Sequence, residues 1–436
     1  MLEKSLILFL LNTAFYLKTL NYKYASDDIP AFHRPKEKNK WLQWFFVLEG
    51  RARSNPPFDH ALTSLIHALV CIGIYLGFGA NDISFLGAVL FSVNPANNQA
   101  SVWISGRSYA LPALGITWAM ALPMLGPVFI LCASYYNAGF LSPLMLLGSD
   151  HSWMVFFMPL IWLFHWRRFK WNVGDKLKME MYDEDRAIKP QKLILFTKTF
   201  GFYTTLALIP FKNTFYHSFL QSAAGCQSEK AYTMNDRYFL LGVLYFLGGG
   251  YYLATQPWTM VSFGLVWWAF CIAPFCNLFR IHQEIAERYM YLPNVGLMIV
   301  LASLLTHFPI AQAVIITMYA VKMWFWMDAY QDDYYLLEYS SINSPGSWFN
   351  WHVKAVKRWD TKSYMEAIIL WTMAKMCSPR EFKVLFNLAT ALVLCNKKEE
   401  GLEYLKLAEA NIPKGQERDV QKLVEEFRKG QVTILL

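Results

Sequence analysis

The sequence carries little charge for its length. Only 17% of its 436 residues are charged and 55% are hydrophobic, whereas about a quarter of the residues in a soluble domain are charged. The apolar residues come in runs long enough to cross a bilayer as helices. The low charge and these runs together exclude an ordinary soluble domain. The net charge of +8 does not indicate a nucleic-acid partner, since membrane proteins keep Lys and Arg in their loops.

Motifs for metals, redox chemistry and nucleotides are also missing. The seven cysteines are scattered, with no CxxC pair or Cys/His cluster. The absence of a P-loop and of a Rossmann fingerprint disfavours a nucleotide-sugar donor. We therefore expect no metal site and no cofactor, and leave dependence on a divalent metal open. The first apolar run lacks a small-residue cleavage site, so we expect a retained anchor.

Eleven apolar runs predict an all-α, polytopic membrane helical bundle. They lie near residues 5–20, 60–78, 84–95, 108–126, 128–146, 153–166, 193–210, 238–254, 257–279, 289–306 and 309–327. The loop from Arg167 to Lys192 holds eight Lys or Arg against five Asp or Glu, which places it in the cytoplasm. Counting spans from this loop puts the N-terminus in the cytoplasm, and Asp27, Asp28 and everything after about Met327 on the opposite side.

Adjacent carboxylates, Asp27 and Asp28, follow the first apolar run. They are either a solvated pair flanking a helix or a base placed beside the lipid headgroups. Adjacent residues of an extended loop point in opposite directions, so we do not expect both to address one hydroxyl. Trp41 and Trp44 lie farther along the same loop among Lys and Arg residues, which predicts an interfacial helix. That helix is either a plain anchor or a binding surface for a lipid phosphate.

Polar residues also interrupt or end the later apolar runs. His60 and His67 are two helical turns apart and share one face, as interhelical hydrogen bonders or as part of a site. The polar stretch before Arg107 is unlike a membrane helix, and the Arg107 guanidinium is suited to a phosphate or carboxylate. Glu287 and Arg288 form an internal ion pair or belong to the same site.

Several blocks resemble one protein family in order and spacing. They run from His60 to His67, from Asn94 to Arg107 and from Glu287 to Pro293. The family is the polytopic C-type glycosyltransferases with tetratricopeptide tails, the group of the transmembrane O-mannosyltransferases that target cadherins. The resemblance covers nearly the whole chain. It implies a C-type glycosyltransferase fold, a sugar on polyprenyl phosphate as donor, inversion at the anomeric carbon, and a tail facing the lumen.

Site residues follow from the same resemblance. The acidic pair of the family maps onto Asp27 and Asp28, with one of them as the base. The residues that would bind the phosphate or the sugar, or orient the base, are His60, His67, Arg107, Glu287, Arg288 and Tyr289.

The chain departs from the family at several acids. It has Asn94 in place of His, Gln99 in place of Glu and Tyr109 in place of Asp. A Lys-Glu pair of the family appears as Tyr136 and Asn137. The neutral replacements predict a changed donor position or metal dependence, or an inactive member.

The last hundred or so residues carry a separate pattern. Pro379 and Pro413 are 34 residues apart, which is the tetratricopeptide period. At the same spacing the small or bulky repeat positions are filled by Ala355 and Ala389, Ala367 and Gly401, Trp371 and Leu405, and Ala374 and Ala408. This pattern predicts two repeats and a capping helix near 415–430, or else an unrelated helical hairpin domain.

Together these features predict two domains and a reaction. Residues 1–327 would be a membrane glycosyltransferase, and residues 328–436 a tetratricopeptide-like domain that binds a protein or peptide acceptor. The partner molecules would be a lipid-linked sugar, with mannose favoured, and a protein hydroxyl. The membrane would be the endoplasmic reticulum in a eukaryote or the inner membrane in a bacterium. The alternatives are a membrane scaffold or a lipid or sugar transporter whose tail binds proteins.

Overall fold

The computed structural model describes residues 1–29, 38–134, 142–157, 190–218, 234–278, 285–412, 417–429 and 434–435. Every regular element within these ranges is helical, which confirms the prediction of an all-α chain for them. The longer helices are α1 (Leu2–Tyr16), α2 (Lys40–Glu49), α3 (Pro56–Gly77), α4 (Asp82–Val93), α5 (Arg107–Ala121), α6 (Gly126–Ser134), α7 (Pro190–Leu208), α8 (Arg237–Thr255), α9 (Met260–Ile272), α10 (Tyr291–Leu305), α11 (Pro309–Trp326), α12 (Asp333–Asn343), α13 (Trp348–Asp360), α14 (Tyr364–Cys377), α15 (Phe382–Leu394), α16 (Lys398–Glu409) and α17 (Glu417–Arg428).

Within the described ranges, four helical stretches are long and apolar enough to cross a membrane. They are Pro56–Gly77, Arg237–Thr255, Glu287–Leu305 and Pro309–Tyr330. Other predicted runs form shorter apolar helices, because polar residues end them early. For example, α4 stops at Val93, where Asn94 caps the next turn and Pro95 occupies its first position. The predicted count of eleven spans stays a prediction, since parts of runs 128–146 and 153–166 lie outside the described residues.

Helix starts follow from capping side chains in the sequence. Asn55 accepts a hydrogen bond from the Phe58 N–H at the start of α3, with Pro56 in the first turn. Asn81 and Ser84 form a reciprocal capping box at the start of α4, and Thr259 and Ser262 form another at α9. These caps satisfy N–H groups that would otherwise have no partner in apolar surroundings.

Glycines allow close approach where two apolar helices pack. A Cβ on Gly264 of α9 would lie 2.6 Å from the Gly296 carbonyl oxygen of α10, and the reverse distance is also 2.6 Å. A side chain at either position would therefore push the backbones apart. Small residues are the usual means by which membrane helices come close, because van der Waals packing drives their association.

The chain forms two compact units. One comprises Met1–Asn213 with Tyr232–Leu336, and the other comprises Thr214–Ala231 with Leu337–Leu436. The main part of the second unit therefore begins at Leu337, and a shorter segment, Thr214–Ala231, also belongs to this unit. The roles predicted for domains 1–327 and 328–436 stay predictions.

The second unit is built from paired helices. Helix α13 packs on α14, and α15 packs on α16. All eight positions that the 34-residue spacing singles out are buried between them: Ala355, Ala367, Trp371, Ala374, Ala389, Gly401, Leu405 and Ala408. A Cβ on Gly401 would lie 2.9 Å from the Ala389 carbonyl oxygen, so the second pair needs glycine here. Pro413 lies outside the described residues, and the tetratricopeptide identity stays a prediction.

We predict that acid destabilises the second unit through His352. This side chain is fully buried in α13, and neither ring nitrogen has a hydrogen-bond partner among the residues that the structure describes. Burial, with a smaller contribution from Lys383, lowers the pKa of His352 from 6.5 to about 3. The unfolded chain therefore binds a proton that the folded chain excludes, and this stability is lost as the pH falls below 6.5. Between pH 7.5 and pH 5 the loss is about 2 kcal/mol.

The measurement is limited proteolysis of the full chain in detergent, following cleavage within residues 348–428 at each pH. His352→Phe should remove most of the pH dependence, because an uncharged ring replaces the imidazole. His217→Phe is the matched control, since His217 lies in the same unit and is only partly buried. An unchanged pH profile in His352→Phe would contradict the prediction.

Candidate active site

A tight turn presents the acidic pair. Ser26 has a φ of +55°, in the left-handed region that non-glycine residues rarely adopt. Its N–H donates to the Asp333 carboxylate at 2.5 Å, and the Asp28 N–H donates to the Ala25 carbonyl at 3.2 Å. Asp27 is exposed as a result, whereas Asp28 is buried. The two carboxylates therefore face different surroundings.

The Asp28 carboxylate is fixed by three donors to one oxygen. Its Oδ1 accepts from Arg53 Nη2 at 2.5 Å, from the Ser105 N–H at 3.0 Å and from Ser105 Oγ at 2.6 Å. Burial raises the pKa of Asp28, and Arg53 and Ser105 oppose the rise. Asp28 thus fastens the turn to Arg53 and to the polar stretch before α5, and Asp27 is the carboxylate of the pair that reaches solvent.

We predict that Asp28→Asn destabilises the protein. The Arg53 side chain is fully buried with Asp28, and removing one partner leaves an uncompensated buried charge at a cost of about 3–5 kcal/mol. The measurement is the thermal unfolding of the purified chain in detergent. A second change, Arg53→Met, should recover part of the loss, because no charge then remains buried. Equal unfolding temperatures for Asp28→Asn and wild type would contradict the structural role.

Arg107 makes a second buried ion pair, with Asp59. Its Nε donates to Thr63 Oγ1 at 2.8 Å, and its Nη2 lies 3.3 Å from Asp59 Oδ1 and also contacts the Asp59 carbonyl. The other Asp59 oxygen accepts from the Tyr24 hydroxyl at 2.9 Å. Arg107 is 0% exposed. Each of its three nitrogens contacts a group within the protein, and the predicted contact with a phosphate stays a prediction.

Both buried arginines also hold the end of α2. Arg107 Nη1 donates to the Val47 carbonyl at 2.6 Å, and Arg53 Nη1 donates to the Gly50 carbonyl. Cations are favourable beside the unsatisfied carbonyls at a helix C-terminus. Helix α2 exposes Trp41, Trp44 and Leu48, and their position at a membrane interface stays a prediction. The same two arginines therefore connect this exposed aromatic face to both buried carboxylates.

The two histidines lie in different surroundings on α3. His67 is enclosed: its Nδ1 lies 2.6 Å from the Tyr291 hydroxyl and its Nε2 lies 3.2 Å from the Ser92 carbonyl. His60 is closer to the acidic turn, with Nε2 3.3 Å from the Lys23 carbonyl. The contacts of His67 are those of an interhelical hydrogen bonder. His60 can position the segment that leads into the turn.

Arg288 lies among three aromatic rings, one of which is Trp103. Its guanidinium carbon is 5.7 Å from the Trp103 ring, 5.6 Å from Tyr109 and 5.2 Å from Tyr289, within cation–π range. The Trp103 indole N–H donates to the Ala25 carbonyl at 3.2 Å. The Trp103 indole thus contacts both the acidic turn and Arg288. The Arg288 side chain is only partly buried.

Gln99 and Asn94, two neutral residues that the sequence analysis singled out, make hydrogen bonds within the protein. The Gln99 side-chain oxygen accepts from the Arg288 N–H at 3.2 Å, and Asn94 donates to the Ala207 carbonyl at 2.9 Å. Glu287 is fully buried at the start of the turn Glu287–Met290. Asn137 lies outside the described residues. The described part of the chain brings no group of three His, Cys, Asp or Glu residues together as a metal site.

Sequence reasoning missed the residues that build the site around the acids. In the sequence, Arg53 belongs to a basic loop and Asp59 to a helix start. The polar stretch before α5 contains Trp103 and Ser105. Their partners lie 25 to 78 positions away in the chain, so no local pattern pairs them. The one available signal was that Arg53 and Ser105 stand in segments too polar for a membrane interior.

Comparison with known proteins adds no assignment. No protein-family model, no curated protein and no solved structure matches the chain.

Proposed function

We propose that the chain is a membrane glycosyltransferase that moves a sugar from a polyprenyl phosphate to a protein hydroxyl on the non-cytoplasmic side. The observation that carries the proposal is that Trp103 contacts both Arg288 and Ala25, which is two residues before the exposed Asp27. Transfer from a lipid phosphate needs a base for the acceptor and a cation for the leaving group at one place. The resemblance to the C-type glycosyltransferases supports the same reaction.

Asp27 would act as the general base. The acceptor hydroxyl oxygen attacks the anomeric carbon, its proton passes to the Asp27 carboxylate, and the bond from that carbon to the phosphate oxygen breaks. A single displacement of this kind inverts the anomeric centre. Asp28 would hold the turn in place through Arg53 and Ser105 and does not need to touch the substrate.

Arg288 would stabilise the leaving polyprenyl phosphate. Its planar guanidinium binds phosphate oxygens in pairs, and the rings of Tyr109 and Tyr289 hold it in position. Arg107 would act at a distance, because it connects the buried Asp59 to the end of α2. The exposed Trp41 and Trp44 of α2 suit the apolar boundary of a bilayer, where the lipid of the donor lies.

The second unit would bind the protein acceptor. Stacked helix pairs form extended surfaces that hold peptides, and the buried positions of α13 to α16 fit a tetratricopeptide spacing. With mannose as the favoured sugar, the proposal is a protein O-mannosyltransferase-like enzyme. It needs no cofactor besides the lipid-linked donor.

The test is sugar transfer by the purified chain in detergent. Mannosyl polyprenyl phosphate is supplied with a library of Ser- and Thr-containing peptides, and the products are identified by mass spectrometry. We expect a hexose on the peptide with inverted anomeric configuration, and no transfer from a nucleotide sugar. Peptide binding without transfer from any polyprenyl-phosphate sugar would favour the scaffold alternative. Donor movement across vesicles without transfer would favour a transporter.

We predict that the second unit lies across the membrane from loop 167–192. The basic charge of this loop, which lies mostly outside the described residues, and the predicted eleven spans give this topology. The measurement is impermeant thiol labelling of single cysteines introduced at Asn172 and at exposed Glu399, in a chain without other cysteines. We expect labelling from opposite sides. Labelling of both sites from one side would contradict the topology.

A further inference from the structure

Asn387 binds a separate segment of the chain through that segment's backbone. Its Nδ2 donates to the Leu435 carbonyl at 2.6 Å, and its Oδ1 accepts from the Leu435 N–H at 2.8 Å. The amide side chain thereby satisfies both polar groups of one residue, as a neighbouring strand would. These bonds involve no side chain of the bound segment, so they fix its position without reading its sequence.

Two apolar clusters lie beside Asn387 and contact the side chains of that segment. Ile434 packs on the buried cluster that includes Ala355, Trp371 and Leu388. Leu435 packs on the next cluster, which includes Phe386 and Ala389. Neighbouring aliphatic side chains thus pack, partly buried, against two successive apolar clusters. Backbone bonds that give affinity, combined with pockets that select side chains, are the usual design of a site for an extended peptide.

A further polar group lies one turn along the same helix. Thr390 is three residues after Asn387 in α15 and so shares its face. It is 0% exposed, and its hydroxyl has no hydrogen-bond partner in the described part of the chain. A buried hydroxyl without a partner is unfavourable. Because Thr390 is enclosed, the contacts open to a peptide are those of Asn387 and the apolar clusters beside it.

We infer that the surface around Asn387 is a peptide-binding site for an extended segment with adjacent aliphatic side chains. The segment Ile434–Leu435 occupies it within the chain and competes with a peptide from another protein. Under the proposed function that peptide would be the acceptor or a part of it. Binding is measured without a sugar donor, so a failure of this inference is distinct from a failure of the transferase proposal.

The experiment uses the full chain in detergent and a fluorescent peptide with the sequence of residues 430–436, followed by fluorescence anisotropy. Deletion of residues 430–436 should strengthen binding at least about tenfold, because a tethered competitor has an effective concentration in the millimolar range. Ile434→Asp combined with Leu435→Asp should do the same in a chain of full length. This second variant tests the idea even where the deletion disturbs folding.

Asn387 is tested in the shortened chain. Asn387→Ala should weaken peptide binding about tenfold or more, because two backbone hydrogen bonds are lost. Asn411→Ala is the matched control, since the Asn411 side chain bonds only within its own helix end, and its affinity should not change. A peptide N-methylated at the position of Leu435 should also bind about tenfold more weakly, and it requires no change in the protein.

Equal peptide affinity in the unchanged chain and in both variants, the deletion and the double Asp substitution (the opened chains), would overturn the idea that Ile434–Leu435 competes with the peptide. Unchanged affinity in Asn387→Ala and for the methylated peptide, or no binding to either opened chain at millimolar peptide, would overturn the site itself.

Discussion

Asp27→Asn should slow sugar transfer by about 10²–10⁴-fold, the usual effect of losing a general base. The amide keeps the shape of the side chain but cannot take the proton of the acceptor hydroxyl. Asp27 is exposed at the turn, so the substitution should leave the unfolding temperature within experimental error of wild type. The measurement is the initial rate of transfer from mannosyl polyprenyl phosphate to peptide, with unfolding followed in the same preparation.

Asp82→Asn is the matched control for this experiment. Asp82 is also an exposed carboxylate, with 89% of its side chain accessible and Lys4 as its partner, and it lies at the start of α4. Its replacement should change neither rate nor stability. Full activity in Asp27→Asn would remove this carboxylate from the mechanism and leave Asp28 as the acid to examine.

Arg107→Met should destabilise the protein by about 3–5 kcal/mol, because the Asp59 carboxylate would stay buried without its cation. The Val47 carbonyl would lose its donor from Arg107 as well. The measurement is the yield and unfolding temperature of the purified chain. Arg107→Met combined with Asp59→Asn should be less destabilised than Arg107→Met alone, since no charge is then left unpaired.

Lys397→Met provides the contrast. The Lys397 and Glu400 side chains are both about half exposed and pair at 3.6 Å, and an exposed pair contributes about 0–1 kcal/mol. Replacement of Lys397 should hardly change stability. Normal folding of Arg107→Met with weaker donor binding would show that Arg107 contacts the phosphate after all.

Local patterns in the sequence predicted the helices. The two-turn spacing placed His60 and His67 on one helix, and the 34-residue spacing found the buried small residues of the second unit. These predictions succeed because burial repeats with the period of a helix.

The roles within the site were harder to predict. The sequence predicted a phosphate ligand at Arg107 and did not pair it with Asp59. Acidic residues are common in the first turn of a helix, so Asp59 did not stand out as a partner. Their contact joins positions that are 48 residues apart, and only the packed structure reveals it. The contacts of His67 with Tyr291 and Ser92 likewise join positions that are 224 and 25 residues apart.

The buried ion pairs Asp28–Arg53 and Asp59–Arg107 cancel to zero net charge. All four of their side chains are at most 1% exposed, so dissolved ions hardly screen the attraction within each pair. The capture of an anionic headgroup by partly buried Arg288 is, in contrast, open to screening. Ionic strength should therefore act on the encounter with the lipid and leave the shape of the acidic turn unchanged.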